Sequence, residues 1–298
     1  MNSNIRWIKL ALAEISEQMK KLGVLVSRNI IKKLMKKHKF VKRKMQRKRS
    51  TGKSADREQQ FQNIIKEKEK FINSNNPVIS IDTKKKEQIG GNLYRDGSVF
   101  CTQAIEVSDH DYAHLADLKI APHGIYDIKQ NKAHINIGIS SETAEFVCDS
   151  LKNWWFNIGK NDYPKATEIL MFCDAGGANS YRHHIFKSEI QNLVNEIKIP
   201  IKIAHYPPYT SKWNPIEHRV FSHITRALAG VPLNTIDEAK SRVESTKTKT
   251  GLIVTANIIQ KTYEIGKKAA KNFMQNLKIK FSDSVPKLNY TIYPIGFS

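Results

Sequence analysis

Two aspartates each close a short apolar run. Asp82 follows Val78-Ile79-Ser80-Ile81, and Asp174 follows Glu168-Ile169-Leu170-Met171-Phe172-Cys173 and precedes Ala175-Gly176-Gly177. Such runs, the first opening after the Asn76-Pro77 breaker, predict buried strands. A charge at the end of a buried strand is costly without a partner, and open α/β sheets gather ligands in the crevice outside the carboxyl ends of their strands. A third carboxylate, Glu217, lies in Lys212-Trp213-Asn214-Pro215-Ile216-Glu217-His218-Arg219, where Pro215 suits the first turn of a helix that can project Glu217 onto that crevice. Taken singly, an Asp after a strand also reads as a turn or helix cap, and a Glu near a helix start as a complement to the dipole. Together they are a different object. Three converging carboxylates raise one another's pKa, and divalent cations reverse that balance. Hard oxygen donors without paired Cys select Mg²⁺ or Mn²⁺, and two such ions roughly 4 Å apart suit in-line displacement at phosphorus.

The elements that must position these groups can be read from apolar spacing. Ile5, Ile8, Leu12, Ile15 and Met19 recur at helical intervals, with Gly23 as a C-terminal stop; Ser27 is the expected N-cap for a second helix carrying Ile30, Ile31 and Leu34. That second helix bears Arg28, Lys32, Lys33, Lys36 and Lys37, and Lys42, Arg43 and Lys44 continue the basic run. Helix, tight turn and basic helix form the pattern of a helix-turn-helix DNA reader; a basic hairpin without sequence specificity is the alternative. Asp56 to Phe71 reads as a charged helical linker. Further strands are expected at Ser98 to Glu106, at His134 to Ser140 and at Ile199 to His205. Helices are expected from Ser141 to Trp155, from about Ser180 to Ile197, over Ile236 to Thr246 and over Ala256 to Phe273. The order predicts a mixed sheet with helices on both faces.

Composition narrows the partner. The 298 residues carry 49 Lys and Arg against 28 Asp and Glu, a formal net charge of +21, and 40% are hydrophobic, enough for one sizeable core and a smaller domain. Sixteen of the Lys and Arg fall in residues 1–50, opposed only by Glu14 and Glu17. A surface so basic is driven toward polyanions, because each neutralised phosphate releases counterions. The stretch Leu34 to Arg49 has too little apolar area to hold a bilayer. No run of 18 apolar residues exists, and the start lacks the apolar core of a secretory signal, so a cytoplasmic, nucleoid-associated location is expected. Cys101, Cys148 and Cys173 form no CxxC pair and read as reduced thiols.

Three blocks carry a resemblance: Ile81-Asp82-Thr83-Lys84-Lys85-Lys86-Glu87; Cys173-Asp174-Ala175-Gly176-Gly177-Ala178-Asn179-Ser180; and His205-Tyr206-Pro207-Pro208-Tyr209-Thr210-Ser211 running into Lys212 to Arg219. With Gly124-Ile125-Tyr126-Asp127, Trp154-Trp155 and Thr248-Lys249-Thr250-Gly251-Leu252, they resemble the signatures of ISAzo13-type insertion-sequence transposases over about residues 75–270. The resemblance implies a DDE triad of Asp82, Asp174 and Glu217 on an RNase H-like fold, holding two Mg²⁺ (or Mn²⁺) ions. It further implies strand cleavage at element ends and strand transfer into target DNA by a homodimer on paired ends, with double-stranded DNA as partner. Relative to that group the chain is expected to be shortened before its first helix. The domain reading is a basic helix-turn-helix region at 1–55, a helical linker at 56–75, an RNase H-like core at 76–230 and a helical C-terminal extension at 231–298.

Around the triad, Lys84, Lys85, Lys86, Lys212 and Arg219 are candidate contacts to the DNA backbone, and Trp213 or Tyr209 a candidate stacking surface. Solvated lysines and a core-packed Trp213 are the bland counterparts, and His205 and His218 read first as structural. Two other functions compete: a truncated, non-catalytic DNA-binding remnant that represses transposition, and a structure-selective nuclease on the same core. A glycosidase carboxylate pair would explain neither the basic arm nor the third carboxylate.

Overall fold

The computed structural model describes residues 8–43, 56–270 and 272–296, and the chain divides into two compact units, residues 1–51 and 52–298.

In the first unit, helices α1 (Leu12–Lys21) and α2 (Arg28–Lys37) are joined by a tight turn. Gly23, at φ +80°, ends α1, with the Val24 N–H donating to the Met19 carbonyl at 2.9 Å and the Gly23 N–H to Lys20 at 3.0 Å, a Schellman closure. Ser27 caps α2 by accepting from the Ile30 N–H at 3.4 Å, and Ser16 Oγ ties α1 to the Val26 carbonyl at 2.7 Å. Only Ile31 is buried on the two helices.

In the second unit, α3 (Arg57–Ile72) precedes β1 (Val78–Thr83), β2 (Glu87–Ile89), β3 (Leu118–Asp127) and β4 (Lys132–Gly138). Next comes α4 (Ala144–Trp154), capped by Thr143, which continues through a π turn (Trp155–Gly159) into the single turn α5 (Lys160–Asp162). Then follow β5 (Ile169–Cys173), α6 (His184–Ile197) and β6 (Ile201–His205). A 3-10 turn (Ser211–Trp213) leads into a helix that opens with a π turn (Glu217–Phe221) and ends as α7 (Ser222–Ala227). The unit closes with α8 (Ile236–Glu244), β7 (Ile253–Ile259), β8 (Ile279–Phe281) and β9 (Asn289–Ile292).

Among the described residues the strands lie in the order β7-β4-β3-β1-β5-β6-β9-β8, with β2 paired on β3. Its central five, β4-β3-β1-β5-β6, are antiparallel from β4 to β1 and parallel from β1 to β6. In chain order that is 3-2-1-4-5 with only the second strand reversed, the RNase H-like arrangement. Strand alternation sorts side chains to two faces. On one, Ile79, Ile81, Ile125, Met171 and Ile203 meet α4 and α6; on the other, Val78, Leu170 and Phe172 meet α3, and Ile120 and Tyr126 meet the helix ending in α7. The mixed sheet with helices on both faces is thus as the sequence predicts.

Three expectations are corrected. Ser98 to Glu106 forms no strand; it is irregular and exposed, because β2, β1 and β4 occupy the pairing positions along β3 and no helix backs Val99, Phe100 and Ile105. The extension 231–298 is not helical beyond α8. Where a helix was expected over Ala256 to Phe273, the β-branched run Ile253-Val254-Thr255 to Ile258-Ile259 adds β7 in parallel to β4, and β9 adds antiparallel to β6. The C-terminal segment therefore supplies strands at both flanks of the central five. Finally, 56–75 is helical but not a free linker: Ile64 and Phe71 of α3 are buried against Val78, Leu170, Phe172 and Ala204. No described helix is long and apolar enough to cross a membrane.

Candidate active site

Parallel pairing places Val78 opposite Leu170, Ile79 opposite Met171 and Ser80 opposite Phe172. Carried two residues further, the same offset sets Asp82 level with Asp174. Asp82 shares a sheet face with Val78 and Ser80, and Asp174 with Leu170 and Phe172, so both side chains point to the face on which the Glu217 helix lies.

That helix is held down by a polar staple. Buried Ser80 donates its hydroxyl to buried Asn214 Oδ1; Asn214 Nδ2 donates to the Ile81 carbonyl at 3.0 Å, and Ser80 Oγ accepts the Ile216 N–H at 3.2 Å. The Glu217 N–H in turn donates to the Asn214 carbonyl at 3.1 Å. A missing side chain completes the fit. Gly124 pairs with Asp82 across β1 and β3, and a Cβ there would sit 2.7 Å from Ile216 Cδ1 and 2.8 Å from Phe221 Cε1. The glycine therefore lets the helix lie close to the sheet beside Asp82. Gly124 and Asn214 stood in the blocks that carry the resemblance and Ser80 in the first apolar run, but the sequence reading gave none of them a role, although a serine within a buried strand and an asparagine just before Pro215 are the signals that mark the staple.

All three carboxylates are half-buried. Burial, then the neighbouring charge of Asp174, pushes Asp82 up to about 8; the Thr83 N–H, 2.8 Å from Oδ1, works against this, while Glu217 adds to it by charge and hydrogen bonding. Asp174 is also raised, chiefly by burial, with the Gly176 N–H opposing and Glu217 adding. The trio is mutually repelling and composed of hard oxygen donors, a donor set that suits a divalent ion. Within electrostatic reach, the side chains are nonetheless not drawn in around one point: among the described residues no three His, Cys, Asp or Glu form a ready cation cluster.

The surrounding candidates fare differently. Lys84 is buried in an ion pair with Glu87, which Arg95 also engages at 2.6 Å, so its ammonium is spent inside the protein, while Lys85 and Lys86 are exposed. Lys212 and Arg219 are exposed, and Trp213 is 55% exposed rather than core-packed. His205 is fully buried: Nδ1 meets the Asp174 carbonyl at 3.0 Å and Nε2 the Tyr290 hydroxyl at 2.9 Å, and burial lowers its pKa to about 4. It ties β9 to the strand end that carries Asp174. In the first unit Arg28, Lys32, Lys33, Lys36, Lys37, Lys42 and Arg43 are all exposed; Lys44 lies outside the described residues. Asp127 serves the β3–β4 turn, accepting from the Lys129 N–H at 2.9 Å and the Gln130 N–H at 3.0 Å, and binds Tyr163 at 2.7 Å.

Among solved structures, the chain is similar to the Mos1 strand transfer complex (10% identity over 81% of this chain and 71% of that one, TM-score 0.44). It is similar also to a pre-cleavage Mos1 transpososome (10%, 81% and 72%, 0.45) and to the Mos1 mariner paired-end complex with Mn (12%, 81% and 72%, 0.43). Overlap at this level is loose, and the fold rests on the strand order. No curated protein matches the chain. The family described as Rhodopirellula transposase DDE domain, the ISAzo13-type group, matches residues 1–294, nearly the whole chain, and the chain belongs to that family of DDE transposases.

Proposed function

We propose that this transposase cuts and joins DNA strands with Asp82, Asp174 and Glu217 as its catalytic, metal-holding carboxylates. The observation that carries the proposal is the placement of three carboxylates, from two strand ends and a helix start, within electrostatic reach of one another, with Asp82 held up at about 8 by burial and by its two partners. A pair of divalent cations bound there, Mg²⁺ or Mn²⁺, would activate an attacking water or 3′-hydroxyl and offset charge on the phosphate. The chain's own contribution is placement. The Thr83 and Gly176 N–H groups orient Asp82 and Asp174, the Ser80–Asn214 staple and Gly124 fix the height of Glu217, and the apolar sheet beneath lowers the local dielectric.

Duplex DNA is the proposed partner, element ends and target alike, brought in by the exposed cations of α2 and by Lys42, Arg43, Lys212 and Arg219. In this reading residues 1–55 form the end-binding helix-turn-helix region, the catalytic unit acts as a homodimer on paired ends, and the protein works on the nucleoid. Lys84 is withdrawn from the DNA-contacting set because Glu87 occupies it.

The test is cleavage and joining of labelled duplexes carrying the DNA that flanks the gene, with Mg²⁺ or Mn²⁺, for the wild type, Asp82→Asn and Glu217→Gln. Metal-dependent cutting and joining that both variants lose while still binding DNA supports the assignment. A wild type that binds but never cuts sinks it and favours a non-catalytic DNA-binding remnant.

A further inference from the structure

The loop that delivers Glu217 is built inside out. Between Tyr206 and Ile216 the polar residues Thr210 and Asn214 are fully buried, whereas Tyr209 is 75% exposed and Trp213 55% exposed. Burial by side-chain type would give the reverse. The inner residues hold consecutive turns: Thr210 Oγ1 donates to the Pro207 carbonyl at 2.5 Å, the Trp213 N–H to Thr210 at 2.8 Å and the Asn214 N–H to Ser211 at 2.8 Å. Tyr209 sits at φ +63°, a left-handed conformation that is unusual for an aromatic residue.

Trp213 is braced from behind by a chain of rings. It meets Phe61 of α3 edge-on at 6.0 Å, Phe61 meets Tyr206 at 6.4 Å, and Tyr206 meets Phe172 of the sheet core at 6.2 Å. One part of the indole is thus fixed, while the residue as a whole stays more than half exposed. The surroundings are cationic: Lys212 Nζ lies 5.8 Å from the Trp213 ring centre, and Arg219 follows on the helix, close enough to Lys68 of α3 to help lower that lysine's pKa, after burial. No Asp or Glu occurs from Tyr206 to Ile216.

We propose that Tyr209 and Trp213 form a stacking site for an unpaired nucleotide of the DNA substrate beside the carboxylates. The indole of Trp213, braced by Phe61 with Lys212 beside it, and the exposed ring of Tyr209, four residues before it on a loop without acidic side chains, match a base together with its phosphate. A base within a duplex offers no free face, so the occupant is a nucleotide unpaired at or next to the cleavage point. The proposal rests on the carboxylate assignment for its place in the reaction, but its own test does not.

The test uses the full-length protein and two labelled DNAs of one sequence, drawn from the flank of the gene: a blunt duplex and a fork with three unpaired nucleotides, one of them 2-aminopurine. Binding is read by anisotropy without divalent cation, and stacking by the 2-aminopurine signal, for the wild type, Trp213→Ala, Tyr209→Ala, the double variant and Trp213→Phe. The expected result is a loss of about fivefold or more in affinity for the fork in the double variant, with blunt-duplex affinity held within about twofold. The wild-type 2-aminopurine quenching should disappear with it, and Trp213→Phe should retain most of both. Equal losses on fork and duplex, or none on either, overturn the stacking site. Cutting of the same DNAs by Asp82→Asn with Mg²⁺ is read separately, and its persistence would overturn the carboxylate assignment without touching the stacking result.

Discussion

The basic helix α2 and the carboxylate crevice hold charge in opposite ways. On α2 five cations stand in solvent around one buried side chain, Ile31. In the crevice three carboxyl groups are half-buried on an apolar sheet; burial and its neighbours push Asp82 up to about 8, and burial raises Asp174 as well. Exposed charges act at a distance and are screened by salt; buried ones act over a few ångströms, are barely screened, and answer to protons and metal ions instead. One region is therefore suited to drawing DNA in and the other to acting on a single phosphate, and each can be broken without breaking the other.

The largest break is expected at the crevice. Asp82→Asn or Asp174→Asn should lower strand cleavage on the order of a thousandfold or more while leaving metal-free DNA affinity within about twofold; a variant that cuts at the wild-type rate would sink the assignment. Next comes the support beneath it. Gly124→Val drives a side chain into Ile216 and Phe221, lifts the Glu217 helix from Asp82 and should cost about a hundredfold in cleavage. Gly124→Ala, a smaller intrusion, should fall between Gly124→Val and the wild type, and cleavage indifferent to side-chain size at this position would show that the close approach does not matter. At α2 the effect is smaller and of another kind. Replacing Lys32, Lys33, Lys36 and Lys37 by Ala should weaken DNA binding and flatten the plot of log affinity against log salt by about 0.9 for each phosphate that is no longer neutralised. Pre-bound DNA should still be cut at the wild-type rate, and an unchanged salt slope would remove α2 from the binding face.

Which parts of this were legible in sequence follows from how far each determinant reaches. Gly23 as a helix stop and Ser27 as a cap are local signals, and both appear where the sequence puts them. The strands ending at Asp82 and Asp174 are continuous apolar runs, and their register follows from the fold. The edge strand β7 was not legible, because Ile253 to Ile259 becomes a strand by finding the open flank of β4, and nothing in its own spacing says so. Ser98 to Glu106 is the converse, a β-prone segment that finds no flank. The Ser80–Asn214 staple joins residues 134 positions apart, beyond any local pattern. Lys84 misled for a related reason: a lysine in a basic run looks solvated until Glu87, three residues on, is seen to fold back onto it.

The smallest expected effect isolates the crevice most cleanly, since it needs neither DNA nor catalysis. Asp82 holds its proton up to about pH 8 in the folded protein, whereas an unfolded aspartate releases it near pH 4. Between those values the folded state binds more protons than the unfolded one, so stability falls as pH rises and is level again above about pH 8. Without divalent cation, Asp82 should therefore contribute a decline in the unfolding temperature between pH 5 and pH 8, of several degrees at most for a domain of this size. Asp174, Asp127, Glu168 and Glu189 are raised as well and share in the decline, whereas the buried His123, His134 and His205 are lowered and add stability as pH rises toward the ordinary imidazole range, so the informative quantity is the difference in slope between the wild type and Asp82→Asn, not the slope itself. Asp82→Asn should lose this contribution to the decline and be the more stable protein at pH 8 in the absence of metal. Adding Mg²⁺ at that pH should raise the wild type more than the variant, because only the wild type keeps all three carboxylates for the ion to neutralise. Superimposable pH curves for the two proteins would show that Asp82 is not under strain from its neighbours, and the contrast between a solvated basic helix and a frustrated acidic crevice would fail at its acidic half.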